Sequence, residues 1–284
     1  MLQSVLYTGR VRDFQKKKFQ KTIWDYYYNA GRDLPWRKTK KAYDILVSEI
    51  MLQQTQVDRV IPKYCAFIAL FPDFHALARA AEVDVLGAWQ GLGYNRRALA
   101  LKRLALEVVR KYRGRLPRNI EKLEELPGIG HYTARAVAAF AWNEPHAFIE
   151  TNIRNVYTHF FFDGMGQIED CEILELVQVT LSDDNPREWY YALMDYGAIL
   201  KKTHRHLNAK SRHYTKQSKF IGSDRQIRGA ILKKLLTGNM SENALYTALD
   251  VAKERCGRIL SALEFEGFIE KKGNRYAILN SFRE

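Results

Sequence analysis

The chain has 284 residues, with 45 Lys and Arg against 32 Asp and Glu, a net charge of +13 and three cysteines. This length suits about two domains of roughly 100–200 residues, and the distant cysteines Cys65, Cys171 and Cys256 exclude a disulfide framework or a paired-cysteine metal motif. Because no apolar leader and no run of roughly 18 apolar residues occurs, we expect an intracellular protein without a membrane partner.

The first two hundred residues have a helical pattern. Apolar residues recur at spacings of three and four through most of residues 14–200, and prolines fall at the expected helix boundaries. Strand-like alternation is scarce before residue 265. The sequence therefore predicts a compact all-helical region followed by a different C-terminal segment.

A Gly-x-Gly turn opens directly into a helix in LPGIGHYTARAV, at residues 126–137. Gly128 and Gly130 permit backbone conformations and close approaches that other residues resist. The first amides of the helix, from His131 onward, have no intrahelical partner and can hold a phosphate. Glu150, further along, could then face whatever that phosphate belongs to. Taken alone, such a turn is equally typical of an ordinary connection between helices.

The positive charge is concentrated near the C-terminus. Residues 201–284 carry 18 basic and 8 acidic side chains, whereas residues 1–200 carry 27 and 24. Residues 201–219 hold seven Lys or Arg, three His and no acid. Because a solvated charged face usually mixes both signs, this distribution favours a nucleic-acid partner, with binding that weakens steeply with salt.

The last sixty residues predict three helices and a hairpin. Asp224 can cap the first helix and Ser241 the second, a third spans about 251–264, and two short strands lie within 268–279. This order predicts a winged helix-turn-helix whose third helix presents Arg255 and Arg258 to a major groove. A winged helix that binds protein has the same pattern and stays an alternative.

Four segments together resemble the helix-hairpin-helix DNA glycosylases. They are LPWR at 34–37, VSEIMLQQTQV at 47–57, WQGLGYN at 89–95 and the glycine turn at 126–137. The resemblance spans about residues 14–200 and is closest to the MutY-type adenine glycosylases. It implies a mainly α, two-lobed fold with a cleft into which a nucleotide of bent DNA is flipped.

The resemblance also implies a domain organisation. A glycosylase region is expected over 1–222, with a six-helix lobe at about 31–142, a second lobe from about 1–30 plus 143–202, and a basic loop at 203–222. The winged helix-turn-helix is expected over 223–284.

Several residues acquire expected roles from the resemblance. Glu49 matches the glutamate that protonates the base, and its apolar neighbours favour the protonated form. Gln53 and Gln54 are both expected to contact DNA. Gln54 matches the wedge that fills the space left by the flipped base, and Tyr94 matches the aromatic residue that intercalates beside the opposing base. The alternative role of Gln54 is that of a capping amide, and the alternative role of Tyr94 is that of a core tyrosine. The remaining residues expected to contact DNA in the glycine turn are Gly128, Gly130, His131 and Thr133.

Two positions depart from relatives in ways that bear on the chemistry. Tyr132 stands where bifunctional relatives have a Schiff-base lysine, and a phenol cannot form one, so we expect excision without strand cleavage unless the ring only packs. Glu150 replaces the aspartate that stabilises the sugar cation, which moves the carboxylate outward by about 1.5 Å. A pocket rebuilt around the longer side chain, a different substrate and a binding-only relic all stay open. Asn152, with Thr151, could order a water or the target phosphate.

The iron–sulfur cluster of many relatives is not expected here. It needs four nearby cysteines, and none lies between residues 172 and 255. We expect no cofactor, with Lys201, Lys202 and Arg205 presenting positive charge to phosphates instead. The histidines at 204, 206 and 213 lack a cysteine or carboxylate at ligand spacing, which argues against zinc.

The expected function is base excision repair by a monomeric glycosylase on double-stranded DNA, in a cytoplasmic, nucleoid-associated location. Adenine opposite 8-oxoguanine or guanine is the expected target. MutY-type enzymes usually read 8-oxoguanine with a different C-terminal domain, so recognition of the opposing base is open. Excision of mismatched thymine or uracil, and a non-catalytic lesion-binding protein, stay as alternatives.

Overall fold

The structure, a computed structural model, describes residues 13–162, 166–182, 184–204 and 219–279. Most of these residues are helical, as predicted. The helices are α1 (Asp13–Ala30), α2 (Ala42–Leu52), α3 (Val57–Leu70), α4 (Phe74–Arg79), α5 (Glu82–Ala88), α6 (Arg96–Tyr112), α7 (Ile120–Glu124), α8 (His131–Trp142), α9 (Thr151–Phe161), α10 (Asp170–Thr180), α11 (Pro186–Thr203), α12 (Asp224–Leu235), α13 (Glu242–Leu249) and α14 (Lys253–Phe265). A 3-10 turn covers Pro35–Arg37, and strands β1 (Ile269–Lys272) and β2 (Arg275–Ile278) follow α14. Among the described helices, none has the length and apolar character needed to cross a bilayer.

The described residues divide into two compact units. The first unit comprises 13–46, 118–125, 129–162, 166–182 and 184–204, and the second comprises 47–117, 126–128 and 219–279. The C-terminal residues thus belong to the same unit as residues 47–117. The domain boundaries expected from the sequence stay a prediction.

Helix α11 is central to the first unit, because α1 and α9 both pack on it. Its buried Trp189 meets the ring of Phe19 from α1 edge-on, with 5.7 Å between the ring centroids. At Gly197, α11 passes so close to α9 that a Cβ atom would lie 2.2 Å from the backbone oxygen of Asn152. Glycine alone fits at this crossing, and the crossing therefore sets the position at which α9 begins.

Helix α6 organises the helical core of the second unit. It packs against α4 and α5 through an apolar face that includes Leu101 and Leu104. Trp89, just after α5, is fully buried and lies edge-on to Phe67 of α3 at 5.8 Å. Because the indole N–H donates to the carbonyl of Gly93 at 3.2 Å, the core also constrains the turn at residues 89–94.

Residues 219–279, here called the C-terminal module, contain α12 to α14 and the β1–β2 hairpin. Ser241 caps α13 as predicted, by accepting a backbone N–H through its hydroxyl. The predicted cap of α12 was wrong: Ser223 caps that helix in the same way, and Asp224 is its first residue. The strands pair antiparallel with Ile269 opposite Ile278, and Met240 adds a bridge to Tyr276. The three helices and two strands occur in the expected order, one or two residues from the expected bounds. The identity of the module as a winged helix-turn-helix stays a prediction.

The basic segment is described only at its two ends. Lys201 and Lys202 are exposed in the last turn of α11, where cations interact favourably with the helix dipole. Arg205 lies outside the described residues. The predicted contacts of these three residues with phosphates stay predictions.

Candidate active site

Glu49 lies near the C-terminal end of α2 and is only 6% exposed. Ile50 and Met51, which follow it, are buried apolar residues. Glu49 is therefore a carboxyl group shielded from solvent, the residue type that can serve as a general acid.

Arg97 of α6 fixes the end of the helix that carries Glu49. Its guanidinium donates to the carbonyl oxygens of Ile50, Met51 and Gln53 at 2.7, 3.0 and 2.6 Å. These belong to the last turn of α2 and the residue beyond it, where carbonyls lack intrahelical partners. Burial lowers the pKa of Arg97 to about 10, which leaves the group charged at neutral pH. This role of Arg97 could not be predicted, because an arginine two positions after WQGLGYN carries no signal of its own in the sequence.

The two side chains predicted to enter DNA share an unusual backbone conformation. Gln54 has φ of 53° and Tyr94 has φ of 49°, both in the left-handed region that non-glycine residues seldom adopt. Arg97 also joins their turns, by donating to the Thr55 hydroxyl at 3.1 Å and to the Gly93 carbonyl at 3.1 Å. Strained residues that the surroundings hold in place cluster at functional sites.

The glycine turn at residues 126–130 has the predicted positive φ at Gly128 but not at Gly130, where φ is −102° and a Cβ atom would meet nothing within 4 Å. Gly128 has φ of 82°, and a Cβ atom there would meet the methyl group of Ala100 at 3.1 Å. Gly130 is the N-cap of α8, which begins at His131 as predicted. The His131 ring and Arg135 both lie against Glu124 of α7, at 3.2 and 2.5 Å, and so tie the two helices of the hairpin together. Binding of a phosphate at this turn stays a prediction.

Tyr132 packs into an aromatic stack of the first unit. Its ring lies edge-on to Phe148 at 5.6 Å, and Phe148 stacks on Tyr190 at 3.9 Å. The Tyr190 hydroxyl donates to the carbonyl of His146 at 2.8 Å and accepts the backbone N–H of Phe148. Tyr132 therefore helps to position the segment that leads to Glu150, whereas its neighbour Thr133 is buried.

Glu150 is the N-cap of α9, and its carboxylate is held by two hydrogen bonds. One oxygen accepts the backbone N–H of Ile153 at 2.9 Å, and the other accepts the side-chain amide of Asn152 at 3.1 Å. Burial raises the pKa of Glu150, and the hydrogen bonds from Asn152 and Ile153 oppose that rise. The longer side chain thus folds back to the start of its own helix, which limits how far the carboxylate extends.

The LPWR segment has a structural role that the sequence did not reveal. Arg37 donates to both oxygens of the buried Asp195 in α11, and Arg32 adds a bond of 2.6 Å to the same carboxylate. Burial alone would raise the pKa of Asp195, but these arginines bring it below its usual range. The cluster anchors the 3-10 turn at Pro35–Arg37 to α11, two residues from Gly197.

Comparison with known proteins places this geometry in a family. A family model described as HhH-GPD superfamily base excision DNA repair protein matches residues 47–185. The adenine DNA glycosylase of Mycolicibacterium smegmatis is 34% identical over 278 residues, which cover 90% of this chain and 94% of that protein. The chain belongs to the HhH-GPD superfamily.

Two further proteins match over smaller parts of this chain. The adenine DNA glycosylase of Buchnera aphidicola subsp. Baizongia pistaciae is 35% identical over 187 residues, 64% of this chain, and the chain spans about half of that relative, 52%. The solved structure of a thermostable thymine-DNA glycosylase matches with a TM-score of 0.60 and 27% identity, over 71% of this chain and 97% of that one. The resemblance to MutY-type glycosylases stated from the motifs is thereby confirmed.

The cysteines of this HhH-GPD member do not fit a four-thiolate cluster. The whole chain has three, of which Cys65 and Cys171 are exposed and Cys256 is buried in the C-terminal module. Within the described ranges, no group of three or more His, Cys, Asp or Glu side chains is arranged to hold a metal ion. The absence of a cofactor stays a prediction.

The basic residues predicted for the major groove make contacts inside the C-terminal module. Arg255 donates to Asp224 at 2.7 Å and to the carbonyl of Gly222 at 2.7 Å, and Arg258 reaches the same aspartate at 3.3 Å. Arg258 keeps 69% of its side chain exposed, whereas Arg255 keeps 38%. Their contacts with DNA stay a prediction, and Arg258 is the better placed of the two for it.

Proposed function

We propose that the protein is a DNA glycosylase that removes adenine opposite 8-oxoguanine or guanine and leaves the strand intact. The observation that carries this proposal is the near full-length similarity to an adenine DNA glycosylase, together with the buried Glu49 in the matching segment. The substrate is double-stranded DNA with a mispaired base, bound by a monomer within the cell.

The chemistry divides between two carboxyl groups. Glu49 donates its proton to adenine as the N-glycosidic bond breaks, and the bonding electron pair leaves with the base. Glu150, as the carboxylate, stabilises the oxocarbenium-like sugar and, with Asn152, positions the water that adds to it. The water loses a proton, and the products are free adenine and an abasic site.

Tyr132 supports excision without strand cleavage. Its phenol cannot form a Schiff base with the opened sugar, which is the step that leads to strand scission in bifunctional glycosylases. Strand cleavage by this protein would need a lysine at another position to form the Schiff base. Borohydride reduction during turnover should therefore trap no covalent complex with wild-type protein.

Glu150→Asp distinguishes the three interpretations of this residue. If the pocket is built around glutamate, aspartate withdraws the carboxylate by about 1.5 Å and slows adenine excision by about 100-fold. The variant should unfold at the same temperature as wild type, because aspartate is a good N-cap. Faster adenine excision by the variant would favour a different natural substrate, and no excision by either protein would favour a relic.

A thymine mismatch glycosylase is the second candidate, favoured by the similarity to the thymine-DNA glycosylase structure. A panel of labelled duplexes tests both: A opposite 8-oxoguanine, A:G, T:G, U:G and hypoxanthine, each analysed with and without alkali. Product from the adenine duplexes that appears only after alkali is the expected result. Glu49→Gln should abolish product while DNA binding persists. Product from T:G alone would overturn the adenine assignment, and binding without any product would favour a lesion-binding protein.

A further inference from the structure

Helix α6 and the turn after it carry an excess of positive charge that the proposed reaction does not use. Residues 96–115 hold eight Lys or Arg and one acid, Glu107, whereas the whole chain has 45 basic and 32 acidic residues. Arg97 and Lys102 point inward and donate to backbone carbonyls. The other six basic residues are exposed: Arg96, Arg103, Arg110, Lys111, Arg113 and Arg115. An excess of one sign along a helix is typical of a surface that meets a polyanion.

The start of α6 is the end at which the lesion duplex is expected. Tyr94 belongs to the turn that precedes the helix, and its hydroxyl accepts from Arg225 of the C-terminal module at 2.8 Å. Gly128 of the glycine turn lies beside Ala100, whose methyl group would be 3.1 Å from a Cβ atom at that glycine. In the proposed function, the lesion duplex therefore meets the second unit near the first turn of α6.

Most of the exposed basic residues lie at the other end of the helix. At 1.5 Å per residue, Tyr112 is about 18 Å further along the axis than Ala100. The chain leaves the helix at Arg113, which has φ of 54°. The name distal basic surface is used here for Arg110, Lys111, Arg113 and Arg115. It is thus a separate surface from the one expected to hold the lesion.

The distal basic surface keeps most of its charge uncompensated. Glu107 pairs with Arg110 at 3.0 Å and with Lys111 at 2.7 Å. Within the part of the chain that the structure describes, neither Arg113 nor Arg115 forms an ion pair with a carboxylate. Both guanidinium groups are therefore available to an anionic partner from solution.

The chemistry of this surface fits a nucleic-acid backbone better than a protein. Along α6 and the turn that follows it, no large apolar side chain is exposed, because Leu104, Val108 and Leu116 are buried in the core. Interfaces between proteins have an apolar or aromatic centre that is depleted of charge. Phosphodiester backbones are bound by Arg and Lys without such a centre.

We propose that the distal basic surface binds the backbone of a second DNA duplex while the first duplex occupies the candidate active site. The proposal rests on the proposed function, which puts the lesion duplex at the start of α6. Because the partner groups are phosphates, binding of the second duplex is independent of sequence and of damage, and it weakens with salt. A protein that holds two duplexes at once can move from undamaged DNA to a lesion without first dissociating.

A ternary-complex titration tests for the second duplex without relying on catalysis. The full chain is bound, one to one, to a short donor-labelled duplex with a tetrahydrofuran abasic analogue opposite guanine. An undamaged, acceptor-labelled duplex is then added, and energy transfer reports that one protein holds both. Wild-type protein should give saturable transfer.

The variant Arg113→Gln/Arg115→Gln should weaken binding of the second duplex by about 10-fold or more. Its slope of log affinity against log salt should fall by about 2, because two phosphate contacts are lost. Affinity for the first duplex should stay within about twofold of wild type, since the lesion site is untouched. Lys17→Gln/Lys18→Gln removes the same charge from exposed positions of α1 and is the matched control, which should behave as wild type in both measurements.

The possible outcomes separate the two proposals. Absence of energy transfer with wild type, or unchanged binding of the second duplex by Arg113→Gln/Arg115→Gln, overturns the inference, and the first result would leave an acidic protein as the partner of this surface. An equal loss of affinity for the first duplex would mean that the surface binds the flank of the lesion duplex, which contradicts the inference. Absence of adenine excision by wild type overturns the proposed function instead, while the titration with an analogue that is not excised still tests the surface.

Discussion

A methyl group at position 197 should displace the candidate catalytic carboxylate. In Gly197→Ala, the Cβ atom would lie 2.2 Å from the backbone oxygen of Asn152 and 2.6 Å from its carbonyl carbon. Ordinary contact begins near 3.4 Å, so α9 and α11 must separate by about 1.2 Å at this point. Glu150 lies two residues before Asn152 and caps the same helix, and it should move with the helix.

The displacement gives an expected magnitude for both stability and rate. Overpacking of this kind costs about 1–3 kcal/mol in folding free energy, and misplacing a catalytic group by about 1 Å slows chemistry by about 100-fold. Thermal unfolding measures the first quantity, and single-turnover excision with enzyme in excess measures the second. The rate is measured at a temperature where unfolding curves show the variant to be folded.

Gly87→Ala is the matched control. Gly87 is also helical, but a Cβ atom there would meet nothing within 4 Å. Because alanine is the better helix former by about 1 kcal/mol, this variant should be at least as stable as wild type and equally active. If folded Gly197→Ala excised adenine at the wild-type rate, the position of α9 would not control the reaction, and the role assigned to Glu150 would be wrong.

Three further predictions concern residues of the candidate site. Arg97→Lys should lower the free energy of unfolding by about 3 kcal/mol in chemical denaturation, because a single ammonium cannot satisfy the carbonyls of two turns. An unchanged denaturation midpoint would contradict the stabilising role of the Arg97 hydrogen bonds. Tyr132→Lys should produce a borohydride-trapped complex with DNA that wild type does not form, since the resemblance matches this position to the Schiff-base lysine of bifunctional relatives. Excision should rise with pH through the raised pKa of Glu150, since only the ionised form stabilises the sugar cation; a rate independent of pH between 4 and 7, in single turnover, would exclude that role.

The sequence could predict the features that depend on neighbouring residues in the chain. The helical pattern, the start of α8 at His131 and the order of elements in the C-terminal module follow from local rules: apolar spacing, glycine turns and serine caps. The placement of Glu49 among apolar neighbours also follows, because two of those neighbours are adjacent in sequence. Each of these features depends on residues within one or two helical turns.

The sequence could not predict the contacts between residues that lie far apart in the chain. Arg97 contacts residues more than forty positions earlier, Gly197 meets Asn152 across a helix crossing, and Arg225 reaches Tyr94 from 131 positions away. None of these residues differs in its local pattern from an ordinary surface arginine or helical glycine. Their roles arise from packing between elements, which local periodicity does not specify.

The two carboxyl groups of the proposed reaction must hold opposite protonation states, and they lie at opposite ends of their helices. Glu49 is buried beside apolar side chains near the C-terminal end of α2, where the helix dipole also disfavours a negative charge. Glu150 lies at the N-terminal end of α9, where the dipole favours the anion and two donors hold it. Burial still raises the pKa of Glu150, and the two donors oppose that rise. A glutamate that reaches back to cap its own helix can thus keep the charge that an aspartate would hold, and the extra methylene need not abolish catalysis.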